Sequence, residues 1–150
     1  MKIKLSVSSS RYSEIQKELQ DRGIEIDDEA DLILSERDGY LSTIKVRNRA
    51  TGEYVMVSTE DIIFVETFGH KVVVHAGETT YLASERLYQL CGLLNPEKFL
   101  RISNSVLIAT DKVKKIQPTL SMKYILTMSD GNNVNVTRSY YNLFRDYYKI

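Results

Sequence analysis

The sequence predicts a mainly β chain, α+β overall, whose larger part is an antiparallel sandwich or barrel. Three observations carry this. From residue 43 onward, short apolar runs recur between turn signals such as "RATGE" and "SDGNN", the rhythm of an all-β domain. Only one mid-chain stretch and the C-terminus break that rhythm with helical spacing. Composition also fits: 150 residues at 43% hydrophobic and 27% charged can bury a sizeable core.

The elements follow in order. "KIKLSV" (2–7) alternates Ile3, Leu5 and Val7 on one face, the period of a half-buried strand. A helix capped by Ser10 or Ser13 runs to about Arg22, with Ile15 and Leu19 one turn apart and Gly23 as its stop. "IEIDDEADLILSE" (24–36) is a second extended or mixed segment, and "RDGYLS" (37–42) a boundary. This small β-α-β unit, residues 1–42, is too short for a doubly wound receiver domain and is expected to lean on the rest.

Residues 43–150 form the second unit. "STIKVRN" and "EYVMVS" flank "RATGE" as a hairpin. "DIIFVET", the turn "FGH", "KVVVHA" and "TYLA" follow. A helix opening at Ser84 places Leu87, Leu90, Cys91 and Leu94 on one face and ends at Asn95-Pro96. Strands resume at 99–102, 106–108, 113–117, 124–128 and 133–136. Ser139 caps a closing helix that carries Tyr140, Leu143, Phe144 and Tyr147. The count is about ten short strands.

Formal net charge is zero, yet unevenly spread. Residues 1–42 hold six Lys/Arg and ten Asp/Glu; residues 43–150 hold fourteen and ten. Within 98–123, Lys98, Arg101, Lys112, Lys114, Lys115 and Lys123 face only Asp111. A basic segment of this kind attracts an anionic partner whatever the total charge. No apolar run approaches the ~20 residues of a membrane helix, and the N-terminus lacks a long apolar signal core. A single cysteine, Cys91, makes no intrachain disulfide, so a cytoplasmic location is expected.

Enzyme chemistry finds no support. There is no nucleophile elbow, P-loop, H-E-x-x-H or cysteine pair. His70 and His75 suit no common zinc site and read as one turn residue and one strand-surface residue. "DDEAD" (27–31) lacks calcium-loop spacing and reads as a solvated acidic face. Cys91 reads as a small core residue, and the tyrosines mostly fall at core-compatible positions. No cofactor, metal or small-molecule substrate is expected.

The most informative stretch is "FLRISNSVLI" (99–108). Its ends are apolar, but Arg101, Ser103, Asn104 and Ser105 interrupt them, and a buried unpaired polar group costs roughly 1–3 kcal/mol. The cluster is therefore expected to leave the core. Two further turns resemble it: His70 and Lys71 at a hairpin tip, and Arg138 between the last strand and the last helix. Arginine pairs with guanine edges and asparagine with adenine edges; lysine, serine and histidine hold phosphates. Lys112, Lys114 and Lys115 would extend that footprint. A purely structural reading competes, with Asn104 and Ser105 capping a turn and Arg138 neutralising a carboxylate.

The order of these motifs resembles the LytTR domain, the DNA-binding module of LytR/AlgR-type bacterial regulators. The likeness spans roughly residues 45–148. It rests on the strand at 62–67, the short helix with Leu87 and Leu94, F-x-R-I-x-x-S at 99–105, and the ending at 131–140. It implies an elongated antiparallel β-sandwich that inserts loops and strand ends into successive major grooves of bent DNA. His70 and Lys71 match its first contact loop, Asn104 and Ser105 its second, and Arg138 its base-reading arginine; Arg101 supports the loop or touches phosphate. Asn104 and Arg138 are then expected to read two groove segments about one helical turn apart. Two positions depart from the family. His or Lys often stands where this chain has Ser103 and Asn104, and Asn where it has Ala109.

The expected function is sequence-specific binding of double-stranded DNA by a transcription regulator. The alternative is a protein-interaction or sensor adaptor that keeps the fold without using DNA; an RNA-binding barrel is weaker. Regulators of this type usually carry a receiver domain, which residues 1–42 cannot hold. Control is then expected from homodimerisation, from a membrane or regulatory partner protein, or from abundance. The acidic N-terminal unit should lie away from phosphate, its first strand pairing with a sheet edge in its own chain or a second subunit.

Overall fold

The computed structural model describes residues 1–36 and 39–150. The boundary expected at 37–42 falls partly on Arg37 and Asp38, which lie outside the described residues. Before it come β1 (Lys2–Ser6), α1 (Ser9–Asp21), β2 (Glu25–Ile26) and β3 (Leu32–Ser35). They form a parallel sheet of order β2-β1-β3. The first strand thus pairs within its own chain and sits at the centre, with Ile3 and Leu5 buried.

Helix α1 begins earlier than expected. Ser10 and Ser13 lie inside it, and Ser8 flanks it without a side-chain cap bond. The Ser8 N–H instead donates to Glu36 (2.6 Å), and this bond holds the Glu36 carboxyl below its ordinary pKa. The helix does stop at Gly23. There φ is +78°, and the Gly23 and Ile24 N–H groups donate to the Gln20 and Leu19 carbonyls, both 3.0 Å away. That double closure needs a left-handed residue, which glycine adopts without a steric cost.

The second unit holds ten strands among the described residues. Seven form one sheet: β4 (Thr43–Asn48), β5 (Tyr54–Ser58), β6 (Ile62–Phe68), β7 (Lys71–Ala76), β8 (Thr79–Ala83), β9 (Phe99–Ser103) and β10 (Val106–Ala109). Their order is β5-β4-β8-β7-β6-β10-β9, antiparallel throughout. A second sheet is the meander β11 (Val113–Pro118), β12 (Tyr124–Met128) and β13 (Asn133–Val136). Helix α2 (Leu87–Leu93) and helix α3 (Tyr141–Tyr148) cover opposite faces.

Two cores explain the run "IIFV". Ile62 and Val65 belong to a core under α2, with Val46, Val74, Leu90 and Leu94. Ile63 and Phe64 belong to another, shared with Ile102, Ile108, Leu126 and Phe144 of the meander side. A strand buried on both faces reads as continuous apolar sequence, not as alternation. Phe144 is fully buried and fixes α3; truncating it to Ala would cost about 3–5 kcal/mol.

Both helix starts lie later than the sequence indicated. Ser84 precedes α2, and Arg86 flanks it, its N–H donating to the Gln89 side chain (2.9 Å). Ser139 lies inside a 3-10 turn, Arg138–Tyr140, that leads into α3. The units meet where β3 rests on α2. A Cβ at Gly92 would lie 2.6 Å from Ile33 Cδ1, so the approach needs glycine. The Leu41 N–H donates to the Leu93 carbonyl (3.0 Å), and the Thr59 N–H to Ser42 (2.9 Å).

Candidate nucleic-acid interface

Antiparallel register decides which turns share an end. Strand β6 ends and β7 begins at the tip Phe68–Lys71, where Gly69 has φ +58°. Val106, which opens β10, pairs with Glu66, and the Thr67 N–H donates to the Ser105 carbonyl (2.9 Å). This bond ties the first tip to the turn between β9 and β10. On the other side, the Thr137 N–H donates to the Ile102 carbonyl (3.0 Å), tying that turn to the one carrying Arg138. The three turns singled out by sequence thus stand side by side. His70, Lys71, Asn104 and Ser105 are exposed, and Arg138 is too exposed to belong to either core.

The middle turn is braced from within. Arg101 donates from Nε to the Ser103 carbonyl (3.1 Å) and from Nη2 to the Asn104 carbonyl (2.7 Å). Ser103 is buried, and its Oγ accepts from the Ser105 N–H (3.2 Å). So the polar cluster divides: Arg101 and Ser103 hold the turn, while Asn104 and Ser105 project from it. Tyr140, a residue not singled out by its type, donates its hydroxyl to Asn104 Oδ1 (3.1 Å). That bond fixes the amide with its NH2 donors free. The partners are 36 residues apart, so local sequence gives no sign of it.

This bond also brings Asn104 and Arg138 closer than expected. Arg138 is two residues from Tyr140, whereas one helical turn of DNA spans about 34 Å. The two therefore share one neighbourhood of the protein surface. Lys71 is the more distant group. It lies on β7, three strands from β9, roughly 14 Å away at about 4.8 Å per strand.

The basic run at 98–123 does not stay together. Lys98 precedes β9 and Lys112 follows β10, so both fall at the opposite end. There they line a cleft of about 350 Å³ with Glu60, Asp61 and Asp111. Lys114 and Lys115 are exposed on the edge strand β11, toward the end away from the three turns: Lys115 pairs with Thr127, one residue from Met128, and Lys114 stands in the bulge beside it. Lys123 does reach the end with the three turns, because Tyr124 pairs with Val136 just before Arg138. The stretches 67–72, 101–106, 117–124 and 136–141 contain no Asp or Glu. The nearby Glu66 carboxylate is taken up by His75 Nε2 (2.9 Å).

His75 is not a strand-surface residue. It stacks on Phe64 with ring centroids 3.9 Å apart and is largely buried. Among the described residues, no three His, Cys, Asp or Glu side chains cluster as metal ligands. Cys91 packs against the first core, and burial raises its thiol pKa. Of the C-terminal tyrosines, Tyr140, Tyr141 and Tyr148 pack on the second core. Tyr147 and Tyr148 anchor α3 to the far end, donating to Thr110 Oγ1 (2.9 Å) and the Thr110 carbonyl (2.6 Å). No described helix is long and apolar enough to cross a membrane.

The sensory transduction protein LytT of Bacillus subtilis is 29% identical over 110 residues, covering 73% of this chain and 46% of that protein. The transcriptional regulatory protein LytR of Staphylococcus aureus is 28% identical over 90 residues, covering 60% and 37%. The chain thus spans less than half the length of these relatives. A solved LytTr DNA-binding domain from Bacillus cereus shares the fold, with a TM-score of 0.68 over 73% of this chain and 99% of that one, at 24% identity. A family model of the LytTr DNA-binding domain matches residues 52–149, well over half of the sequence, and the chain belongs to that family.

Proposed function

We propose that this protein is a cytoplasmic transcription regulator that binds a specific double-stranded DNA site through the end carrying Lys71, Asn104 and Arg138. The observation that carries the reading is the hydrogen-bonded row of three turns whose exposed side chains are cations, amides and hydroxyls, with no carboxylate among them. Asn104 and Arg138 read base edges in one stretch of major groove. His70, Lys71 and Ser105 engage the neighbouring backbone, and Arg101 holds the turn between them. Lys114 and Lys115 add sequence-independent phosphate contacts along the edge of the meander.

The N-terminal unit is the assembly surface in this reading. In this reading its acidic residues face away from phosphate, and its contact with the second unit is made by β3 on α2, where Ile33 meets Gly92. Strand β3 is an open sheet edge with Leu32 54% and Leu34 41% exposed, which suits a second subunit or a regulatory partner. Deleting residues 1–40 should then lower the solution mass of the protein while leaving single-site DNA affinity in place.

Selection from a random-sequence duplex pool tests the main reading. A single preferred site is expected. Neutralising about six phosphates gives a slope of log K against log salt of about −5. A flat salt response, or no enrichment of any sequence, would contradict it.

A further inference from the structure

The end that carries the three turns also carries a fourth projection. The hairpin between β11 and β12, residues Thr119–Lys123, extends past the level of Val136. Leu120 at its tip is 107% exposed and Met122 is 49% exposed. Neither belongs to a core. The tip is nonetheless rigidly built. The Thr119 hydroxyl donates to the Lys123 carbonyl (2.9 Å) and accepts from the Lys123 and Ser121 N–H groups (3.3 and 3.4 Å). The Thr119 N–H closes the hairpin on Lys123 (3.0 Å). Met122 is held at φ +57°, a conformation that costs an L residue energy. A braced, strained turn thus presents two large apolar side chains outward, in position to meet a partner surface.

We propose that this tip is a fourth DNA-contacting element: Lys123 holds the phosphate ridge beside the Arg138 site, and Leu120 wedges against the minor groove beyond it. The inference rests on the DNA reading above and adds a separate contact to it. Lys123 continues the strand alignment of Tyr124 with Val136, placing it beside Thr137, one residue from Arg138. The major groove is about 12 Å wide, so a group one strand over from a groove-centred arginine meets the phosphate ridge. Leu120, three residues further out, passes the ridge and reaches the minor groove. Leucine and methionine are the residue types that press between base steps and bend a duplex there. Lys71, Arg101, Lys123 and Arg138, with no carboxylate in their stretches, favour a polyanion over a protein or a second copy as the occupant.

The test uses the full chain and the duplex it selects from a random pool, with dyes on the duplex ends to report bending. Leu120→Ser should melt with the parent protein, because the side chain touches nothing. It should bind the selected duplex about tenfold more weakly, the scale of burying much of one leucine side chain, and bend it less. Lys123→Gln should weaken selected and random duplexes alike and reduce the salt slope by about 0.9. If both variants bind and bend DNA as the parent does while Arg138→Ala loses site discrimination, the tip is not a contact and the main reading survives. A Leu120→Ser variant whose solution mass falls while its DNA binding holds would assign the tip to a second copy and overturn the proposal. If the parent chain selects no duplex, the DNA reading itself fails.

Discussion

The turns at the two ends of the 43–150 unit are built from the same scaffold but carry opposite charge. At one end, the stretches 67–72, 84–86, 101–106, 117–124 and 136–141 hold Lys71, Arg86, Arg101, Lys123 and Arg138 against a single carboxylate, Glu85. At the other, the stretches 59–62, 76–79, 97–99, 109–113 and 129–132 hold Lys98 and Lys112 among Glu60, Asp61, Glu78, Glu97, Asp111 and Asp130. Near-zero net charge therefore conceals a molecule polarised along its strands. A polyanion is drawn to one end and repelled from the other, so in the proposed reading the field orients the protein before base contacts form. Charge counted along the chain misses this. Antiparallel strands send consecutive turns to alternate ends, so a basic run in sequence splits in space.

The sharpest way to break this comparison is to reverse charges at each end in turn. Lys71→Glu with Lys123→Glu should lower affinity for any duplex by on the order of a hundredfold. Lys98→Glu with Lys112→Glu changes net charge equally but should cost less than about threefold. Equal losses would show that only total charge matters.

A finer probe is Tyr140→Phe, which removes the hydroxyl held by Asn104 Oδ1. The lost bond is worth about 0.5–1.5 kcal/mol. It should appear as weaker binding to the selected site, with random-duplex affinity unchanged, because the amide is misaimed and no phosphate contact is lost. Smaller still, Lys115→Ala should weaken selected and random duplexes equally, by a few-fold, and reduce the salt slope by about 0.9.

The smallest effect concerns the strut between the ends. Burial, and then the neighbouring Tyr147 and Asp111, push the Tyr148 phenol up to about 12. The unfolded chain releases that proton near pH 10, so the contribution is complete below about pH 10 and fades as pH rises to about 12. Thermal melts across that range should show the decline in the parent and less of it in Tyr148→Phe.

The strands of 43–150 were legible because their apolar runs end at Gly, Asn and Asp turns, and tertiary packing did not override that punctuation. Helix starts were less so. Serines at 10, 13, 84 and 139 looked like caps, but Ser8, Arg86 and Tyr140 flank the helices instead. Propensity alone cannot say which of several nearby polar residues meets the first free N–H groups. The three turns were legible as sites of exposed polar residues. Their adjacency was not, since it depends on the bonds Thr67–Ser105 and Thr137–Ile102 across distant strands. The roles of Arg101 and Tyr140 as braces, and of Ser103 as a buried turn residue, follow from those long-range contacts and not from residue type.

The central claim is that the charge-polarised end reads sequence through Arg138 and Asn104. It is tested most directly by measuring affinity for the selected and for random duplex, together with the melting temperature, in Arg138→Ala and Asn104→Ala. Each substitution should cost about 1–3 kcal/mol on the selected site and little on random DNA. The melting temperature should stay at the parent value. Variants that melt early while their folded fraction still discriminates between the two duplexes would contradict the account, and would make both residues structural.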